Sequence, residues 1–361
     1  MNKSFKQILN EVFSDNSKWN YYNEKIAKGN PFVSGDASKN FILNFIKYSG
    51  KESSRGLEKN IEELSNDRAM HIVSTFFLGI YIYENSENLS VNINKKLETY
   101  QDKSKYSSDI KFSFIWFLAS LFHDLGYKFE DEDSIKYVSF DEFFEKEKLI
   151  NLKHSVGIPK LYETIHKGYF NYRAKSENDK IGKNDHGICA AYLLYTDLCK
   201  IRSEEENSYN KTNGLCWEES LEDVYNFAAW IILAHNIWYV NESAKCLNES
   251  YREAGLEKLI LKPKKNKTPK YKITLAKHPF LFLFCLVDTI EPLKRVKDFS
   301  LLEKISLGIE SDKIKIESKL TCTCHDTILN QANGLNSWLI PTRLKGNIVE
   351  IDLNPNHGRK L

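Results

Sequence analysis

From about residue 66 to 296 the chain alternates long apolar stretches with polar connectors, the pattern of helices that bury one another. The stretches predict helices over Arg68 to Glu84, Lys111 to Leu125, His186 to Ile201, Leu221 to Val240 and Pro279 to Val296. Connectors such as Glu84 to Ser90, Asp102 to Asp109 and Ser203 to Asn213 carry little hydrophobicity. Residues 1 to about 65 read as short helices of mixed polarity that pad the core, with loops around Gly29-Asn30-Pro31 and Gly35-Asp36. After about residue 300 the period changes to strand-like alternation, at Ile314 and Ile316 and then at Ile348, Ile351 and Leu353. Lys345-Gly346-Asn347 predicts a hairpin turn joining that last strand to Trp338 to Leu344. The expected protein is mainly α, with a helical N-terminal extension over 1–65, a helical core over 66–296 and a small α+β C-terminal appendage over 297–361. No internal repeat is visible.

Composition narrows the class without changing that picture. Across 361 residues, 42% hydrophobic and 28% charged side chains make an ordinary soluble globular balance. With 51 basic against 49 acidic residues the net charge is +2, which offers no global attraction for nucleic acid or a membrane surface. An anionic substrate must therefore be caught locally, and the chain holds only eight arginines to do it. The lysine-rich stretch from Lys262 to Lys272, with Pro263 and Pro269, reads as an exposed loop and not as a nucleic-acid patch. The runs Phe112 to Phe122 and Pro279 to Val287 fall short of the roughly 20 residues that span a bilayer. The longer Val224 to Val240 is interrupted by Asn226, His235 and Asn236. Seven scattered cysteines, with only Cys322 and Cys324 close together, do not form a disulfide framework, so a reducing cytoplasm is the expected compartment.

Against this background the doublet His123-Asp124 stands out, because it closes the oily run Phe117-Leu118-Ala119-Ser120-Leu121-Phe122. A buried carboxylate without a partner costs several kcal/mol or gives up its charge, and a divalent cation is a common partner. Each of the other long helices also carries one candidate ligand in apolar surroundings: His71, His186, His235 and Asp288. Taken singly, each has an ordinary reading as a satisfied core histidine or a helix-end acid; their ordered occurrence is the signal. His154 and His166 lie in the same interval as His186, which is preferred because it opens the apolar helix Ile188 to Leu194.

The order His, His-Asp, His, His, Asp resembles the HD-domain metal-dependent phosphohydrolase superfamily, over about residues 66 to 296. That resemblance implies an all-helical HD-domain bundle that holds two metals. It implies that His71, His123, Asp124 and Asp288 bind the first metal, that Asp124 bridges, and that His186 and His235 bind the second. Mixed nitrogen and oxygen donors suit two divalent transition metals, Mn, Fe, Co, Ni or Zn, better than Mg or Ca. Such a pair lowers the pKa of a bridging water and spreads charge on a phosphoryl group. The implied reaction is hydrolysis of a phosphoester or phosphoanhydride, in a nucleotide or nucleotide-derived signal, with His123 and Asp124 at its centre. A metal-bound hydroxide would attack, so no Ser or Cys nucleophile is required. Two alternatives share the ligand set: a mixed-valent di-iron oxygenase, and a non-catalytic regulatory or binding module.

Departures from the family pattern bound the substrate class. The doublet is followed by Leu125-Gly126-Tyr127-Lys128, whereas many members place Lys directly after that glycine. Lys128 is one step late. Asn236 follows His235, which excludes the tandem histidines of cyclic-dinucleotide hydrolases, and no Glu-Asp pair like that of alarmone hydrolases is evident. Candidate contacts to a phosphorylated small molecule are Arg68, Lys128, Tyr169, Arg173 and Arg295, with Tyr172 beside them. Arg295, seven residues after Asp288, would return to its face on a continuous helix. A second doublet, His325-Asp326, has only Cys322, Cys324 and His357 nearby and lacks the two paired ligand groups of a zinc site. The oligomeric state is left open.

Overall fold

Local chemistry sets where the apolar stretches begin and end as helices. The computed structural model describes residues 2–19, 29–48, 55–101, 111–130, 136–175, 182–205, 221–237, 253–256, 273–296, 298–310, 313–320, 334–336, 338–341 and 348–353. Helix α1 (Phe5–Ser14) opens on a capping box in which Ser4 and Gln7 satisfy each other's backbone N–H groups. It is followed by α2 (Gly35–Tyr48), α3 (Arg55–Glu62) and α4 (Asn66–Asn85), the last capped by Ser65 Oγ on Arg68 N. Then come α5 (Glu87–Gln101), α6 (Phe112–Phe122) and α7 (Phe140–Lys146), with α7 capped by Ser139. Helix α8 (Lys160–Ala174) starts after Pro159, and α9 (His186–Glu205) starts where Asp185 Oδ1 accepts from Ile188 N at 3.0 Å. Helices α10 (Leu221–His235), α11 (Pro279–Ile290) and α12 (Leu293–Val296) complete the set. The protein is mainly α, with its strands concentrated near the C-terminus.

Three expected helices stop early, one of them the run from Leu221, which ends at His235, with Asn236 in a turn, and not at Val240. The run Pro279 to Val296 breaks at Glu291, whose φ −61° and ψ 120° are the extended backbone favoured before Pro292. The helix expected to reach Leu125 ends at Phe122, and Leu125–Phe129 forms a short 3-10 turn, so the His123-Asp124 doublet sits at a helix exit.

The chain divides into two compact units. One comprises Met1–Ser49, Ser65–Leu121 and Ile273–Leu361. Its core is aromatic: Trp19, Phe41, Phe45, Phe76, Phe77 and Phe117 are buried and stack or meet edge to face. Helices α4 and α6 approach closely because residue 79 is glycine; a Cβ there would lie 2.0 Å from Trp116 Cζ2. The unit's sheet has the order β1 (Lys3–Ser4), β3 (Ile305–Glu310), β4 (Lys313–Ser318), β6 (Val349–Leu353). Pairing β1–β3 is antiparallel with Lys3 opposite Leu307, and β3–β4 is antiparallel with Ile316 opposite Leu307. As the alternation requires, Ile314 and Ile316 are buried.

Among the described residues the last strand pairs elsewhere than in the expected hairpin. Strand β6 runs parallel to β4, with Val349 opposite Ile314, while β5 (Leu339–Ile340) pairs in parallel with β2 (Ile273–Thr274). A parallel pair needs a long crossover and not a tight turn, and here the chain between β4 and β6 supplies it. The Lys345-Gly346-Asn347 turn itself lies outside the described residues.

The second unit comprises Gly50–Leu64 and Phe122–Lys272. Helices α9 and α10 pack side by side as its centre, with the Leu125–Phe129 turn against α9. Gly126 permits this approach: a Cβ there would fall 2.0 Å from the His186 carbonyl oxygen and 2.8 Å from Ala190 N. A satellite of Phe140, Phe143, Phe170 and Tyr192 joins α7, α8 and α9.

Candidate metal centre

In the first unit, His71 and Ser74, three residues apart on α4, share one face. Asp288 and Glu291 stand three residues apart where α11 ends. These four side chains meet: His71 Nδ1 lies 2.6 Å from Glu291 Oε2, His71 Nε2 lies 3.0 Å from Asp288 Oδ1, and Ser74 Oγ donates to Glu291 Oε1 at 2.6 Å. Glu291 is wholly buried and also accepts from Leu293 N at 2.9 Å and Lys294 N at 3.1 Å, capping α12. Lys294 Nζ reaches Asp288 at 3.2 and 3.4 Å. Burial opposes a charge on His71, but its hydrogen bonds to Asp288 and Glu291 outweigh that and raise its pKa.

In the second unit, His123 and Asp124 are fully buried, with His123 Nε2 3.0 Å from Asp124 Oδ1. His186, at the first position of α9, points Nε2 toward the same Asp124 oxygen at 3.8 Å. Its Nδ1 lies 2.5 Å from Glu130 Oε2, and Arg173 Nη2 donates to Glu130 Oε1 at 2.8 Å. Burial would raise the Glu130 pKa, yet the hydrogen bond and the attraction of His186 and Arg173 hold it down at about 2. Tyr127 stacks on the His186 ring with centroids 3.8 Å apart and planes 15° apart. His235 closes the group, its ring centroid 5.5 Å from that of His123 and 5.4 Å from that of His186, with Nδ1 against the Ile232 carbonyl. Gly187 makes room for it, since a Cβ there would meet His235 Cε1 at 2.9 Å.

His71 and Asp288 in the first unit, and His123 in the second, are buried side chains of the kinds that ligate metal ions. The donor set is chemically suited: imidazole nitrogens face carboxylate oxygens with apolar surroundings, and a cation neutralises both the carboxylates and the cost of burying them.

The rival histidines of the 154–186 interval are otherwise engaged. His154 is exposed and pairs with Glu163 at 2.7 Å. His166 donates from Nδ1 to the carbonyls of Tyr162 and Glu163, at 3.2 and 2.9 Å, and accepts at Nε2 from Tyr192 Oη at 2.9 Å. Both of its nitrogens are satisfied without a metal.

The candidate substrate contacts are dispersed. Arg68 is half-buried in the first turn of α4. Lys128 donates to Asn60 Oδ1 at 2.7 Å and lies over the Phe129 ring. Tyr169 Oη donates to the Asn236 carbonyl at 3.0 Å, and Arg173 is committed to Glu130. The side chain of Arg295 lies outside the described residues, as do Cys322, Cys324, His325, Asp326, His357 and the Lys262 to Lys272 stretch. The expectation that Arg295 returns to the face of Asp288 assumed an unbroken helix; because the helix breaks at Glu291, Lys294 is the residue that reaches it.

Sequence reasoning missed Glu291, Glu130, Ser74 and Tyr127. Glu291 had a signal, standing one helical turn after Asp288. Glu130 is hidden at the head of the acidic run Glu130-Asp131-Glu132-Asp133, which reads as solvated loop. No family model, curated protein or solved structure matches the chain. Among the described residues no helix is long and apolar enough to cross a membrane.

Proposed function

We propose that the chain is a cytoplasmic, HD-type metal-dependent hydrolase that cleaves a phosphoester or phosphoanhydride bond in a nucleotide or nucleotide-derived signal. One observation carries the reading: in both units a buried imidazole Nε2 faces a buried carboxylate oxygen at 3.0 Å, His71 with Asp288 and His123 with Asp124. Such pairs are the donor groups of a mixed nitrogen and oxygen metal site. His71, His123, Asp124 and Asp288 would hold one metal and His186 and His235 a second, with Asp124 shared. When bound, the metals would supply Lewis acidity and lower the pKa of a water.

The chain's own residues would do the rest. Burial of Asp124 and Asp288 keeps bulk water from screening the charges there. Lys128 and Arg173 are held by Asn60 and Glu130, so the metals themselves would carry most of the charge compensation for a phosphoryl group. Cys189, Cys199 and Cys285 are buried free thiols, in keeping with a reducing compartment.

Metal analysis of protein purified without chelator, paired with a panel of nucleotides and phosphoesters, tests the proposal. Bound transition metal and hydrolysis are expected together, and His123→Ala should lose both. A protein that holds no metal, or a His123→Ala variant that hydrolyses as well as wild type, would sink it. Oxygen consumption by an iron-loaded form with an organic substrate, without hydrolysis, would instead favour the oxygenase reading.

A further inference from the structure

We propose that Glu130 and Glu291 are positioning residues that each accept a hydrogen bond from the Nδ1–H of an imidazole, so that His186 and His71 offer Nε2 as the ligand atom. The inference rests on the metal-centre reading above and adds to it the two groups that would orient the ligands. Its basis is a device that appears twice in unrelated parts of the chain: His71 Nδ1 is 2.6 Å from Glu291 Oε2, and His186 Nδ1 is 2.5 Å from Glu130 Oε2. An ionised carboxylate can only accept, so in each pair Nδ1 must be the donor. In His186 a neutral imidazole then carries its lone pair on Nε2, the atom on the side of Asp124. His71 Nε2 instead faces a second carboxylate, Asp288, at 3.0 Å, so that without a metal both its nitrogens donate and a cation would take the place of the Nε2 proton. Asn236 Nδ2 stands 2.9 Å from His186 Nε2, the position of an amide donor to that lone pair, and one that a cation would displace. His235 follows the same rule with a backbone acceptor, Nδ1 facing the Ile232 carbonyl.

The two carboxylates are themselves held. Glu291 is fixed by Ser74 Oγ and by the N–H groups of Leu293 and Lys294, and Glu130 by Arg173. A carboxylate fixed on one side and bonded to imidazole on the other sets both the ring plane and the tautomer, and it raises the basicity of the ligating nitrogen. Glu291 also caps α12 through two backbone N–H groups, and Glu130 accepts from one, His186 N at 3.3 Å, so Glu130 is the residue whose removal disturbs less backbone.

The test is a Co2+ titration of the full chain, followed by visible absorption in competition with a chelator, together with 15N NMR of the histidine rings. Glu130→Ala should weaken Co2+ binding about 10- to 100-fold. Glu130→Gln, which keeps an oxygen acceptor for Nδ1–H, should recover most of that loss. In wild type without added metal, the His186 ring should carry its proton on Nδ1 and the His71 ring a proton on both nitrogens, and His186 should lose its preference in Glu130→Ala. A wild-type chain that binds Co2+ while Glu130→Ala binds it equally tightly overturns this inference alone. A wild-type chain that binds no transition metal overturns the metal-centre reading and this inference with it. Should Glu130→Ala fail to fold, a wild-type His186 found with its proton on Nε2 still overturns the assignment.

Discussion

The contrast between His166 and His186 shows how one residue type is given two roles by what faces it. His166 has a carbonyl at one nitrogen and a tyrosine hydroxyl at the other, with the rings of Phe140 and Trp230 edge-on, so its neutral form is fully satisfied. Burial, the dominant cause, pushes its pKa down to about 4 despite the neighbouring carbonyls. In an unfolded chain the value is about 6.5, so the folded state binds fewer protons between those two values. The stability contribution of this site is therefore complete above about pH 6.5 and is lost as the pH falls toward 4, amounting to roughly 3 kcal/mol across the window. Urea titrations of wild type and His166→Gln at a series of pH values should show their stability difference changing in that window and flat above it. A difference that does not vary with pH would mean that His166 does not titrate as a buried neutral ring. Removing the hydroxyl with Tyr192→Phe should cost about 1–3 kcal/mol at pH 7.5, because Nε2 is then left buried without its donor.

At the scale of elements, glycines decide how closely helices approach. Gly79 lies against Trp116, whose indole N–H donates to the Phe76 carbonyl at 2.8 Å and so cannot move aside. Gly79→Ala gains up to about 1 kcal/mol of helix propensity, but overpacking of this kind costs about 1–3 kcal/mol. A net loss is expected, seen as a lower denaturation midpoint with an unchanged urea slope; a more stable variant would refute the argument. Gly126 plays the same part for the turn after the doublet, where the neighbour is α9 backbone that has no rotamer to change. The break at Glu291 is also an element-scale event. A proline after that residue ends α11 and frees its carboxylate to orient His71 and to start α12 at once.

At the scale of the whole molecule, a bound metal would act as a ligand of the folded state. Ions that bind the native form and not the unfolded chain stabilise it by mass action, about 2.7 kcal/mol at a hundredfold excess over Kd. Thermal denaturation of chelator-treated protein should therefore shift upward on adding transition metal, and the shift should vanish in Asp124→Asn or His123→Ala. An upward shift that survives in both variants would place the binding elsewhere. The sheet is likewise a whole-molecule feature, since Lys3–Ser4 at one end of the chain supplies an edge strand to Ile305–Glu310 near the other.

The mainly α class and the helix positions were legible from apolar periodicity alone, because burial of one helix face leaves a local pattern that needs no partner to be read. The alternation at Ile314 and Ile316 declared a strand for the same reason. The ordered histidines and aspartates marked the candidate site, since ionisable groups inside oily runs demand an explanation. Only the tertiary structure decided what those groups face. Glu130 and Glu291 became partners of His186 and His71 across separations of 56 and 220 residues, Lys294 replaced Arg295 beside Asp288, and β6 found β4 where a local turn had suggested a hairpin. Periodicity records which side of an element is buried, whereas a hydrogen bond or a strand pair depends on a second segment whose approach no local pattern encodes.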